Sequence, residues 1–314
     1  MGTQEQMGAG MTRREGMRAV LLHMSSHVGG VYLEEGEAFK GRVGRKPQAN
    51  EFAFDDWKRL VDRCVARKFN TLVMDIGDQL SFPNHPELAV PSGWQPERLE
   101  QEVARIRSLG LDAVPMLDFS ATHDQWLKAY GRGLCTRRYY QVVRELIDDV
   151  FSVFGKVGYF HLGMGEEYPD FQAHEYIMHV RSQPIFLHDV KYLSSCVSRH
   201  GARPWIYSDR LANAQDHRSD CPKEVLQSPV FSDGDDRKAR LRYAEGLSET
   251  GFDVVPAGVL RPDPVITCRT HLYPERLKGF LAVTERPCAG EANLSENLRV
   301  IDSAADALDG CCQV

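Results

Sequence analysis

The chain has 314 residues, a formal net charge of −6, and 42% hydrophobic against 26% charged residues. These fractions are those of an ordinary globular protein and exclude collagen-like or intrinsically disordered chains. No basic run supplies the footprint of a nucleic-acid binder, and no apolar run approaches the roughly 18 residues of a membrane helix; the longest candidate, residues 17–24, is interrupted by His23.

In chain order, Arg13-Arg14 is followed by Glu15 and Arg18 where an export signal needs an apolar stretch, so residues 1–16 read as a disordered leader. Residues 18–24 are the first strand candidate. Asp55 is placed to cap a helix whose apolar positions Trp57, Leu60, Val61, Cys64 and Val65 follow i, i+3, i+4 spacing, and residues 70–74 then read as a buried strand. The same grammar returns at once. Pro96 suits a first helical turn, Leu99, Val103, Ile106 and Leu109 make an inner stripe, and Gly110 ends the helix before a strand at 111–117. Val142, Val143, Leu146, Ile147, Val150 and Phe154 form a third helical face, stopped by Gly155 and followed by a strand at 158–162. Later helices end at Gly201 and Gly251, each before a strand (203–207 and 252–255), while 224–230 and 279–283 are weaker strands.

The strand count reaches eight. Alternating strands and helices imply a parallel sheet through right-handed crossovers, and eight such units favour a closed barrel over an open doubly wound sheet. The predicted fold class is α/β, a single (β/α)8 TIM barrel over residues 17–310. The cysteines at 64, 135, 196, 221, 268, 288, 311 and 312 make no CxxC pair, which fits reduced thiols in a cytoplasm better than a disulfide frame or a zinc site. Cys311-Cys312 reads as part of a frayed tail.

In such a barrel, catalytic side chains come from strand ends that lead into βα loops. Those ends carry His23, Ser26 and His27, then Asp75, Asp78 and Gln79, then Asp118 and His123, then His161, Glu166 and Glu167. Asp209, Asp233, Asp235 and Glu285 follow. Each Asp is equally able to cap the next helix. The sharpest local signal is His161-Leu162-Gly163-Met164-Gly165-Glu166-Glu167, where glycines permit close ligand approach before two adjacent carboxylates. A carboxylic acid whose pKa is raised by burial is the natural proton donor to a leaving oxygen, and Glu166 is the candidate; a solvated pair capping a helix is the competing reading.

This segment resembles the His-x-Gly-Gly/Met-Asp-Glu signature of the family-twenty glycoside hydrolases, the β-N-acetylhexosaminidases. Phe69-Asn70-Thr71-Leu72-Val73-Met74-Asp75, Asp78-Gln79-Leu80-Ser81-Phe82-Pro83 and His85-Pro86-Glu87-Leu88 are similar to that family's second-strand region. Residues 109–115 leading to Asp118 and His123 resemble its third, and Pro204-Trp205 leading to Asp209 its fifth. Order and spacing carry the resemblance, which runs from about residue 18 to 285.

Departures from the family bear on mechanism. In the family, an Asp directly before the acid Glu polarises the substrate's 2-acetamido group, whose carbonyl oxygen is the nucleophile. Here Gly165 stands in that place. Either the acetamido-assisted route is lost, or a one-residue bulge puts Glu166 in the Asp position with Glu167 as acid, and Gly165 then takes a positive φ. The first-strand Arg that holds sugar hydroxyls falls at Ser26, and the Trp of the eighth-strand Trp-x-Glu falls at Val283, with Glu285 retained.

The resemblance implies an exo-acting glycosidase with a small carbohydrate substrate, and the scattered cysteines point to a cytoplasmic one. Glu166 is its acid/base and Glu167 the second carboxylate, in a pocket shaped by Asp75, Asp78, Asp118, His123, His161, Trp205, Tyr207, Asp209 and Glu285. Trp126, Trp205 and Tyr207 are candidates to stack on a sugar face. No cofactor and no metal are expected, so His161 reads as an orienter beneath the carboxylates. A non-catalytic sugar-binding barrel, and a lyase using Asp75 or Asp78 with Glu166, are the alternatives.

Overall fold

The computed structural model describes residues 16–25, 52–121, 123–165, 180–212, 220–231, 236–258 and 260–310. Its strands are β1 (Met17–His23), β2 (Thr71–Asp75), β3 (Asp112–Met116), β4 (Tyr159–His161), β5 (Arg203–Tyr207), β6 (Leu226–Ser228), β7 (Val230–Phe231), β8 (Ala257–Gly258) and β9 (Gly279–Val283). They form one parallel sheet in the order β6-β5-β4-β3-β2-β1-β9-β8-β7. β6 and β7 are halves of one run broken at Pro229, which has no N–H to give a ladder. The first half pairs with β5, the second with β8, and Gln227 also bridges Val254. The two ends of the sheet therefore meet, and the barrel closes.

Around it lie α1 (Phe54–Ala66), α2 (Pro96–Ser108), α3 (Arg137–Phe154), α4 (Gln183–Ser198), the one-turn α5 (Asp209–Ala212), α6 (Arg237–Glu249), α7 (Pro262–His271) and α8 (Glu291–Gly310). Their apolar stripes are those the spacing predicts: α1 buries Trp57, Leu60, Val61 and Cys64, and α3 buries Val142, Val143, Leu146, Ile147, Val150 and Phe154. Two local expectations differ. Asp55 does not cap α1; Ala53 occupies the N-cap, and Asp55 lies in the first turn, where its charge meets the positive end of the helix. Leu109 falls just past α2 and is 38% exposed, because the chain has already begun its turn into Gly110.

Strand residues alternate between two apolar layers. Val20, Leu22, Leu72 and Met74 face the helices, whereas Ala19, Leu21, Val73, Val114, Met116, Trp205, Leu226, Val255, Ala257 and Leu281 fill the barrel interior. Continuing that alternation places His23, Asp75 and His161 on the inner face at the carboxyl ends of their strands. Among the described residues, no helix is long and apolar enough to cross a membrane. Residues 1–15 of the expected leader, and Cys311 and Cys312, lie outside the described residues.

Candidate active site

Strand register builds the site in tiers. His23 pairs with Asp75, Asp75 with Met116, Met116 with His161, and His161 with Trp205, so these five ring one level of the barrel. Two residues further on come Asp118, Gly163 and Tyr207, one pleat closer to the mouth.

The β1–β3 side is dense in hydrogen bonds. Asp75 Oδ2 lies 2.7 Å from His23 Nδ1, and His23 Nε2 lies 2.8 Å from the Thr284 carbonyl. Asp78, also buried, accepts from the Ser25 hydroxyl at 3.2 Å. Asp118 accepts the Ser120 N–H at 2.9 Å and the Ser120 hydroxyl through Oδ1, while its Oδ2 is 3.0 Å from His123 Nδ1. Burial alone would push the Asp118 pKa up, but His123 and Ser120 outweigh it and hold this carboxyl below the usual range. For Asp75 burial wins: despite His23, desolvation together with the nearby Asp118 and Asp78 charges raises its pKa. Neighbouring carboxyls with pKa values pushed apart are what acid–base chemistry requires.

After β4 the chain turns through two successive residues of positive φ, Gly163 (+67°) and Met164 (+64°). A Cβ on Gly163 would meet Asp118 Oδ1 at 1.9 Å, so no side chain fits there. Met164 takes the same uncommon conformation without glycine's freedom, and Arg181 holds it. One Arg181 nitrogen donates to the Phe119 carbonyl at 2.8 Å and lies 3.7 Å from Met164 Sδ, while the other pairs with buried Asp189 at 2.7 Å. No motif or periodicity singled out Arg181 beforehand.

Gly165 is not among the residues of positive φ, contrary to the bulge expectation, which put the left-handed residue there. It is small for a different reason: a Cβ would meet Tyr207 Cβ at 2.8 Å. His161, fully buried, accepts the Gly163 N–H at Nδ1 over 3.0 Å, so its proton sits on Nε2. Burial pushes its pKa down to about 3, and the ring stays neutral. Its ring centroid lies 4.5 Å from that of Tyr207 and 4.9 Å from that of Trp205, and Nε2 finds no hydrogen-bond partner among the described residues. Glu166 and Glu167 lie outside the described residues, as do Ser26, His27, Asp233 and Asp235.

The β5–β9 side is different. Trp205 is fully buried, its indole N–H donating to Ser228 Oγ at 2.7 Å, and it forms the floor beneath Tyr207. Trp126 is likewise enclosed, donating to the Asp118 carbonyl at 2.8 Å and packing on Phe82 and Phe119. Neither indole offers an open face, whereas Tyr207 is only half-buried. Asp209 Oδ1 accepts from Arg240 at 2.6 Å and from the Val230 N–H at 3.3 Å, which ties the β5 loop to α6. Glu285 is exposed beyond β9. Thus Asp75, Asp78, Asp118, His123, His161 and Tyr207 gather at the mouth, while Trp205, Asp209 and Glu285 are drawn into a floor, an ion pair and solvent. Among the described residues, no three His, Cys, Asp or Glu side chains converge as metal ligands.

Neither protein-family models nor curated protein sequences match the chain. Solved structures do match in shape. The family-20 β-N-acetylhexosaminidase of Streptomyces coelicolor A3(2) superposes with a TM-score of 0.68 at 17% identity, covering 94% of this chain and 64% of that one. The fold is that of a family-20-like barrel. The β-N-acetylhexosaminidase of Bacteroides fragilis NCTC 9343 superposes at 0.64 with 14% identity, over 94% of this chain and 65% of that one. Dispersin B superposes at 0.55 with 15% identity, over 83% of this chain and 95% of that one. The chain thus spans less than two thirds of the Streptomyces and Bacteroides enzymes, and its sequence identity to all three is low.

Proposed function

We propose that the protein is a glycoside hydrolase that releases a terminal sugar, with Glu166 donating the proton to the departing oxygen. The observation that carries this reading is the turn after β4, which packs Gly163 on Asp118 and Gly165 on Tyr207 and leads directly into Glu166. That turn lies at the carboxyl end of a barrel whose shape is shared with β-N-acetylhexosaminidases, and Glu166 is the next residue in sequence. A glycosidic oxygen leaves readily only when protonated, and a partly desolvated carboxylic acid supplies that proton. Asp118, held as an anion, would favour the positive charge that develops on the sugar ring, and Tyr207 offers a ring face for stacking.

Gly165 has no side chain to polarise an acetamido group, and Tyr207 occupies the space one would need. The reading supported best is therefore a terminal sugar whose departure is not assisted from that position. A reducing, cytoplasmic setting is part of the proposal, supported by the free thiols at Cys64, Cys135, Cys196, Cys221, Cys268 and Cys288.

The test is Glu166→Gln. In folded protein it is expected to reduce turnover of glycosides with basic leaving groups by about 10²- to 10⁴-fold and to affect activated aryl glycosides less. Unchanged turnover would sink the assignment of the acid. The side-chain-free Gly165 also favours, as a second reading, a sugar-binding barrel without catalysis; intact sugar binding with no turnover of any glycoside would select it.

A further inference from the structure

His23 has no part in the chemistry above, yet it joins three strands at the mouth. Its Nε2 lies 2.8 Å from the Thr284 carbonyl oxygen, which has no proton to give, so Nε2 must carry a hydrogen and donate it. Thr284 is itself fixed, its hydroxyl donating to the Leu21 carbonyl at 2.7 Å. One proton then remains between Nδ1 and Asp75 Oδ2 across 2.7 Å, either on an imidazolium facing a carboxylate or on a carboxylic acid facing a neutral ring.

The direction of this relay matters. In a nucleophile-activating triad the imidazole faces the substrate and the carboxylate stands behind it. Here a backbone carbonyl stands behind the imidazole, and the carboxyl group is in front. Asp75 is only 5% exposed, and its remaining oxygen, Oδ1, meets no hydrogen-bond donor among the described residues. The oxygen belongs to a buried side chain at the carboxyl end of a barrel strand, and the mouth onto which that end opens is where a ligand would bring a donor.

We infer that Asp75 is a ligand-facing carboxylate on the β1–β2 side of the mouth, accepting a hydrogen bond from a sugar hydroxyl through Oδ1, with His23 as its positioning residue. The ligand's identity rests on the glycosidase reading; the His23–Asp75 relay does not. The ionisable groups acting on Asp75 are His23 from β1, Asp118 following β3 and Asp78 from its own loop. Asp118 and Asp78 oppose its ionisation and His23 favours it, so removing His23 moves the Asp75 titration to higher pH.

Two measurements test this. Imidazole nitrogen NMR of the ligand-free protein is expected to show a hydrogen on His23 Nε2 and a strong hydrogen bond between Nδ1 and the Asp75 carboxyl group. An unprotonated Nε2 would overturn the relay. Calorimetry with a panel of monosaccharides and their singly deoxygenated forms then reads the ligand contact. Asp75→Asn is expected to weaken sugar binding roughly 10- to 100-fold, and the loss should vanish for the deoxy sugar that lacks the contacted hydroxyl. His23→Gln is expected to shift the acid limb of binding to higher pH, which a purely structural role would not do. Circular dichroism establishes that both variants fold. Sugar binding by the wild type that Asp75→Asn leaves unchanged overturns this inference and spares the glycosidase reading. No binding of any sugar by the wild type overturns the glycosidase reading, and the hydroxyl contact falls with it.

Discussion

The two arcs of the barrel mouth are built by different means. β1, β2 and β3 have 7, 5 and 5 residues, and at or just past their ends His23, Asp75 and Asp118 are each held by a side chain from another strand or the following loop. On the far side β6, β7 and β8 have 3, 2 and 2 residues, and Asp209 is neutralised by Arg240. A strand of several pleats fixes the direction of the side chain at its end, because alternate residues are already committed to the interior core. Segments as short as β6, β7 and β8 give little such aim, and on this side Asp209, after β5, is held in an ion pair with Arg240 of α6. Among the described residues, the buried mouth groups with shifted pKa values, Asp75, Asp118 and His161, lie on the β1–β4 arc.

The sharpest way to break this contrast is Gly163→Ala. The added methyl would lie 1.9 Å from Asp118 Oδ1 on a backbone of positive φ, so stability should fall by more than about 3 kcal/mol in denaturant unfolding. A change under about 1 kcal/mol would mean that the β3 and β4 ends do not pack on each other as described.

A smaller effect comes from His161, whose pKa is lowered by burial to about 3, against about 6.5 when unfolded. As pH falls below about 6.5 the unfolded chain takes up this proton and the folded one does not, so stability declines down to about pH 3, by up to about 1.4 kcal/mol per unit. The wild type should lose about 2 kcal/mol more than His161→Gln between about pH 7 and pH 5 in urea unfolding. Gln retains an acceptor for the Gly163 N–H, and equal losses would show that His161 is not buried in neutral form.

The smallest effect is on the opposite arc. Arg240→Met removes the Arg240 cation from Asp209, which should lower stability by about 1–2 kcal/mol, given that the arginine is partly exposed. Sugar affinity should not change. A loss of affinity as large as that of Asp118→Asn would erase the distinction between the arcs.

Much of the barrel was legible because two local signals agree along the chain: apolar periodicity and glycines that stop helices. The strands Arg203–Tyr207 and Gly279–Val283 have the bounds their sequence suggests. The pattern misjudged two weakly paired runs on the β6–β8 side, where a proline interrupts the ladder. Residues 224–230 split at Pro229, and the strand expected at 252–255 contributes a bridge at Val254 and resumes beyond Pro256 as Ala257–Gly258. In the site, polar strand ends were visible but their partners were not, since the His23–Asp75 contact depends on the register between two strands 52 positions apart. Trp205 was misleading as a sugar platform because the barrel interior also needs large side chains, and sequence alone does not separate floor from mouth. Gly165 was read through backbone freedom, yet the constraint is the closeness of Tyr207.

The central claim, that the β1–β4 arc carries glycosidic chemistry, is tested most directly by assaying the purified protein against aryl glycosides with and without a 2-acetamido group, alongside Glu166→Gln and Asp118→Asn. The account predicts turnover of at least one glycoside lacking the acetamido group, lost in Asp118→Asn and, for the aryl glycosides with the most basic leaving groups, lost in Glu166→Gln. Turnover of no glycoside in the panel, or turnover that both variants retain, would contradict it.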